Sequence, residues 1–301
     1  MQSAWRVVDC TSLDGSLTYV RGRLVVNNRV TGEIVEIPLA ETAVLLIGLH
    51  CGCSPGLLHQ CAAYGTCVMV CNWQGIPVCA MHSWSDVPTR IATRQLAQAS
   101  LSIPRRKAAW ANVVRAKIRG QAACLDALNI EGGGMLRGIA NEVHSGDSTN
   151  REGQAAREYW KRIFSSEEDF HRVPGCNVGR NAALNYDYTI LRGFSIKAVI
   201  SAGLNPVLGM NHHNRSNYFC LADDIIEPFR PAVDFAVAQL AVDDTPDSKS
   251  VKKYLIESVN KQFNGVGPTM PSALNDIAQA YGMYVEKQSK DFLVPEYKGG
   301  L

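Results

Sequence analysis

The chain has 301 residues, 46% of them hydrophobic and 19% charged, with a formal net charge of +2; the length suggests about two domains and the composition excludes a disordered chain. No apolar run approaches the ~18–20 residues that a membrane span requires, and the start, Met1-Gln-Ser-Ala-Trp-Arg6, lacks the apolar core of a secretory signal. These features predict a cytoplasmic protein with no membrane association, in which disulfides are disfavoured.

From Trp5 to about Ile76 the text reads as strands. Leu17–Val20 and Leu24–Val26 flank Arg21-Gly-Arg23 as a hairpin, residues 33–38 alternate, and Val44–Ile47 and Val68–Val70 read as buried strands. Pro55–Ala63 predicts a short helix between the last two. Six cysteines (Cys51, Cys53, Cys61, Cys67, Cys71 and Cys79) fall here beside His50 and His59. A zinc site needs converging thiolates, usually from paired knuckles, and only Cys67-x3-Cys71 has that spacing. Buried thiols acting as small hydrophobes are the preferred reading.

The pattern changes near Trp84-Ser-Asp-Val-Pro88, and helical periodicity follows. After the Ser102 cap and Pro104, Trp110, Val114, Ile118, Gln121, Leu125 and Leu128 share one helix face, which sets Arg105, Arg115 and Arg119 on the opposite, solvent-facing side. Residues 87–125 hold eight basic groups (Arg90, Arg94, Arg105, Arg106, Lys107, Arg115, Lys117 and Arg119) and no acid. Such a patch suits a phosphate backbone or, alternatively, an acidic protein partner. Gly132-Gly-Gly134 reads as a flexible linker, because no Gly-Lys-Ser/Thr follows it. Further helices are expected over 151–164, 185–202, 222–241 (kinked at Pro228 and Pro231), 248–260 and 272–286, with residues 295–301 frayed. The fold class is therefore α+β: a small β-rich N-terminal domain, residues 1–85, followed by a larger all-helical domain, residues 86–301.

Two strings carry candidate chemistry. Residues 209–231 hold His212, His213, Asp223, Asp224 and Glu227. Asp223 or Asp224 shares a helix face with Glu227, and the histidines lie in a loop able to fold over it. Such a set suits a hard divalent ion, with the imidazole favouring Mn²⁺ without excluding Mg²⁺; the alternative is a surface loop before an acidic helix start. In Ser148–Trp160, Thr149 and Glu152 have capping-box spacing, so Glu152 either ties off a helix or serves a site.

Asn150-Arg-Glu-Gly-Gln-Ala-Ala-Arg157, then Gly209-Met-Asn-His212 and Leu221-Ala-Asp-Asp-Ile-Ile-Glu-Pro-Phe-Arg-Pro231, resemble the CRISPR-associated protein one family in its type II version. Supporting stretches are Leu39–Leu49, Trp110…Lys117-Ile118…Gln121 and residues 184–191. The resemblance implies a metal-dependent DNA integrase and endonuclease of spacer acquisition, in which a 3′-hydroxyl of a short duplex attacks a phosphodiester of the repeat array. It implies Glu152, His212 and Glu227 as catalytic residues and ligands of Mg²⁺ or Mn²⁺; His213 stands beside the histidine assigned, and Asp224 is an auxiliary carboxylate or a helix-face acid bonded to an arginine. Arg90, Arg94, Arg105, Arg115 and Arg119 would contact double-stranded DNA, both protospacer and CRISPR repeat. The implied assembly is a homodimer formed through the N-terminal domains, bridged by CRISPR-associated protein two and attended by other type II adaptation or effector proteins. A hydrolytic metal-dependent nuclease and a non-catalytic DNA-binding scaffold are the competing functions.

Overall fold

A computed structural model describes residues 4–73, 75, 77–81, 83, 90–165, 167, 170–176, 178–242, 244–246 and 248–301. The chain divides into two compact units, Met1–Pro88 and Thr89–Leu301; the domain boundary expected at 85/86 lies outside the described residues.

The first unit holds two four-stranded sheets. One has the order β1 (Arg6–Cys10), β5 (Thr42–Ile47), β7 (Cys67–Cys71), β8 (Pro77–Met81), the first three strands parallel and the last antiparallel. Every residue of β5 is buried, which is why it reads as an unbroken apolar run rather than an alternating one. The other sheet runs β4 (Ile34–Pro38), β3 (Arg23–Asn28), β2 (Gly15–Val20), β6 (Cys51–Cys53). β2 and β3 pair as the expected hairpin across Arg21 (φ 47°) and Gly22 (φ 84°), the positive-φ pair that a two-residue primed turn needs. Helix α1 (Pro55–Ala63) starts at Ser54, whose hydroxyl accepts from the Leu57 amide at 3.2 Å. Leu17 and Leu24, Leu45 and Val68, and Leu57 of α1 form one shared core. Cys61, Cys67 and Cys71 are buried as expected, but Cys51 is half-buried and Cys53 and Cys79 are exposed. The buried-thiol reading therefore fails for those three, which lie on short strands with an open face.

The second unit is helical apart from one isolated bridge, Gln262–Thr269, among the described residues. Its helices are α2 (Ile91–Ala99), α3 (Ile103–Ala127), α4 (Gly133–Asn141), α5 (Arg151–Ile163), α6 (Gly179–Ser201), α7 (Cys220–Ile226), α8 (Arg230–Ala238), α9 (Lys249–Val259) and α10 (Met270–Val285). At ~1.5 Å per residue α3 is about 37 Å long. It buries Trp110, Val114, Ile118, Gln121 and Leu125 as patterned, and also Ala109, Val113 and Ala116 on other faces. None of the helices among the described residues is long and apolar enough to cross a membrane.

Three expectations change. Residues 132–134 are no flexible linker: Gly133 opens α4, and a Cβ there would stand 2.1 Å from Asp126 Oδ1. The single kinked helix expected over 222–241 is α7, a 3₁₀ turn at Glu227–Phe229 and α8, because Pro228 and Pro231 lack the amides a continuous α-helix needs. Residues 295–301 are not frayed, since Tyr297 is buried against Phe263 and Phe235 at ring distances of 5.9 and 6.3 Å.

Candidate metal centre

Glu152 lies in the first turn of α5, and the local chain leaves its side chain free for a distant partner. Asn150, in the left-handed conformation, caps the helix by accepting from the Gly153 amide at 3.1 Å. The Asp147 carboxylate accepts from the amides of Arg151 and Glu152 at 2.8 and 3.0 Å. The helix start is thus satisfied without the Thr149–Glu152 capping box. Instead Glu152 Oε1 accepts from Lys117 Nζ of α3 at 2.6 Å.

Glu227 opens the 3₁₀ turn between α7 and α8 and is 5% exposed. Its Oε1 accepts from Arg230 Nε at 2.9 Å, and its Oε2 stands 2.6 Å from the same Lys117 Nζ. The Oε2 contact is an ion pair, and among the described residues no donor other than Lys117 reaches this buried oxygen. Burial pushes the Glu227 carboxyl up, but Arg230 and Lys117 outweigh it and hold it at about 2. Burial likewise works against the Lys117 charge, and Glu227 and Glu152 more than restore it.

His212 hangs from the loop between α6 and α7. Its Nδ1 lies 2.6 Å from Oδ1 of the buried Asp224. The same carboxylate accepts from the backbone amides of Met210, Asn211 and His212. Trp110 packs against the imidazole with the two rings nearly perpendicular and their centroids 5.8 Å apart. With Nδ1 engaged, Nε2 is the nitrogen left for a ligand. The Asp224 hydrogen bond raises the His212 pKa against the opposing effect of burial, and burial raises that of Asp224. His213 is exposed. Asp223, not Asp224, is the helix-face acid bonded to an arginine: Arg192 Nε and Nη2 reach its two oxygens at 2.7 and 2.9 Å.

The structure thus joins Glu152 to Glu227 through Lys117 and holds His212 on Asp224. His212 and Glu227 are near enough for each charge to shift the other's pKa. Among the described residues, no three His, Cys, Asp or Glu side chains are grouped closely enough to hold a metal as they stand. The donor chemistry does fit a hard divalent ion: two carboxylates, one of them with a buried oxygen that no donor but Lys117 reaches, and one imidazole nitrogen. Lys117 is the residue that sequence reasoning missed, because it counts with the basic stripe. A signal was present, since Lys117 falls three residues after Val114 and seven after Trp110, on the buried face where a lone lysine needs acidic partners.

The basic stripe is less open than its pattern implied. Arg94 is buried, donating to the Ala202 carbonyl at 2.6 Å and pairing with Glu286 at 3.1 Å. Arg90, largely exposed, pairs with the same Glu286 at 3.3 Å. Arg105 donates to the carbonyls of Tyr284 and Ser289 and covers the Tyr284 ring. Arg115 bonds Asn112 and the Val143 carbonyl, and Arg119 pairs with Glu296 at 2.8 Å. The expected solvent face of α3 is therefore half-buried at Arg105, Arg115 and Arg119, because Tyr284 and Ser289, Val143, and Glu296 respectively reach these side chains.

The chain matches the family described as CRISPR associated protein Cas1 over residues 11–255. A CRISPR-associated endonuclease Cas1 of Neisseria meningitidis serogroup C (strain 8013) is 33% identical over 258 residues, covering 83% of this chain and 82% of the relative. Among solved structures, a casposase bound to integration product superposes with a TM-score of 0.79 at 20% identity, covering 97% of this chain and 93% of that one. A Cas6-RT-Cas1–Cas2 complex gives 0.74 at 18% identity, covering 98% of this chain and 36% of the matched one. Over four-fifths of its length, with both acidic strings inside the matched span, the chain belongs to the CRISPR associated protein Cas1 family.

Proposed function

We propose that this protein is the metal-dependent DNA integrase and endonuclease of CRISPR adaptation, inserting short spacer DNA into a repeat array. The observation that carries the reading is the convergence of Glu152 and Glu227 on one cationic point, with His212 held on Asp224 nearby. Glu152, His212 and Glu227 would hold Mg²⁺ or Mn²⁺. Bound there, the ion supplies Lewis acidity toward a phosphate oxygen and stabilises the charge of the pentacoordinate transition state.

The chain's own groups prepare that chemistry. Arg230 and Lys117 keep Glu227 ionised across the physiological range. Asp224 fixes the His212 ring through Nδ1 and leaves Nε2 as the donor. In strand transfer one P–O bond forms to the donor 3′-oxygen while one breaks to the repeat strand, so the phosphodiester count is conserved. Duplex DNA is the substrate, and the casposase neighbour bound to integration product supports that choice. The neighbouring Cas6-RT-Cas1–Cas2 complex supports association with CRISPR-associated protein two, and the family resemblance is the ground for proposing a homodimer through the N-terminal unit. Arg90, Arg115 and Arg119, each partly exposed, are the members of the stripe best placed for phosphates.

An integration assay with labelled donor duplex, supercoiled acceptor and Mg²⁺ or Mn²⁺ tests the reading. Glu152→Ala is expected to abolish the joined product while retaining DNA binding. A joined product from that variant would remove Glu152 from the site. Shortened or nicked strands without joining would favour a hydrolytic nuclease.

A further inference from the structure

Lys117 is placed where a surface cation has no reason to be. It sits within buried text of α3, between Ala116 and Ile118, and its side chain is 14% exposed. Its single ammonium contacts Glu152 Oε1 and Glu227 Oε2, each at 2.6 Å. Glu152 and Glu227 come from different elements and would repel each other without a cation between them. Any divalent ion bonded to those two oxygens at about 2.1 Å would stand within about 5 Å of Nζ by the triangle rule, with two positive centres facing one another. The Oε2 contact is an ion pair, and no other donor among the described residues reaches that buried oxygen.

We propose that Lys117 is a built-in competitor for the divalent ion: it bridges Glu152 and Glu227, and the ion binds only as the ammonium leaves the pair, so that Lys117 sets the ion affinity of the site. This rests on the metal-dependent reading given above. Apparent affinity is reduced by the fraction of molecules in which the lysine has vacated the carboxylates. The same bridge holds the site together when divalent ion is scarce, because it cancels the repulsion between the two acids. Lys117 is thus a positioning residue whose removal trades stability without metal for tighter metal binding.

The test is Mn²⁺ binding to the full chain, read by the electron paramagnetic resonance of free Mn²⁺ at pH 8. Wild type is expected to show a site that Glu152→Gln removes. Lys117→Met should bind Mn²⁺ about tenfold tighter or more, and Lys117→Arg, which keeps the charge, should stay near wild type. The thermal midpoint of Lys117→Met should fall without Mn²⁺ and rise further than that of wild type when Mn²⁺ is added. Should Lys117→Met fail to fold, the lysine ammonium resonances of ¹⁵N-labelled wild type replace it, with one signal, absent from Lys117→Arg, expected to vanish or shift as Mg²⁺ fills the site. Unchanged or weaker Mn²⁺ affinity in Lys117→Met, or an unmoved ammonium signal at Mg²⁺ saturation, overturns the lysine proposal and leaves the metal reading standing. Absence of any Glu152→Gln-sensitive site in wild type overturns both.

Discussion

His212 Nδ1 and Asp224 Oδ1 stand 2.6 Å apart, and the carboxylate that orients the ring is itself fully buried beneath the loop carrying it. Groups that fix a ligating imidazole typically contribute ~10–100-fold to metal affinity or activity when removed. Asp224→Asn is therefore expected to weaken Mn²⁺ binding and strand transfer by about that factor, read by titration and by joined product. Equal affinity in variant and wild type would show that the ring needs no such anchor.

Gly209 packs against the same anchor. A Cβ at this position would lie 2.5 Å from the His212 carbonyl oxygen and 2.8 Å from Asp224 Oδ2. Gly209→Ala should cost roughly 1–3 kcal/mol in urea denaturation, the range of overpacked buried sites. Gly134→Ala is the control: no atom within 4 Å opposes its Cβ inside α4, and it should gain about 0.5–1 kcal/mol.

Asp234, one charged neighbour beyond Arg230, gives a pH signature of stability. Burial raises its carboxyl to about 6 against the opposing effects of Tyr188, Tyr159, Arg230 and Arg172, and the hydroxyls of Tyr159 and Tyr188 both donate to it. A carboxyl raised on folding favours the folded state in its protonated form. That contribution is complete below the unfolded pKa of about 3.9 and is lost as pH rises through about 6. The loss amounts to roughly 2–3 kcal/mol at ~1.36 kcal/mol per unit. Asp234→Asn, neutral throughout, should lack this decline, so urea midpoints of the two proteins should diverge between pH 4 and 6.5 (approximate limits set by the two pKa values).

Arg94 and the pair Arg115 and Arg119 separate structural from DNA-facing charge. Reversal of Arg115 and Arg119 should reduce the slope of log affinity against log salt by about one for each phosphate no longer neutralised. Arg94→Gln should leave the slope unchanged and lower the thermal midpoint, because its charge is already spent on Glu286 and Ala202. A slope indifferent to Arg115 and Arg119 would assign that face to a protein partner.

Much of this was legible in the text of the chain. Strand periodicity located β2, β3, β5 and β7, and the two acidic strings held Glu152, Asp224 and Glu227 before any fold was known. Side-chain sharing was not legible. A helical wheel put Arg105, Arg115 and Arg119 in water because it cannot see the Tyr284 and Ser289 carbonyls, the Val143 carbonyl and the Glu296 carboxylate that later parts of the chain bring to them. Thr149 and Glu152 matched the capping-box spacing, but Asn150 and Asp147 reached the amides first. Tyr297 looked like frayed tail because its aromatic partners, Phe235 and Phe263, are far away in sequence.

The Asp224 carboxylate gathers the amides of Met210, Asn211 and His212 at a single buried point. Met210 and Asn211 donate to Oδ2 and His212 to Oδ1, so the two oxygens of one carboxylate hold three consecutive amides of the loop. The carboxylate that orients the imidazole is thus also the tie that anchors the loop carrying it, so removing that one side chain unfastens both.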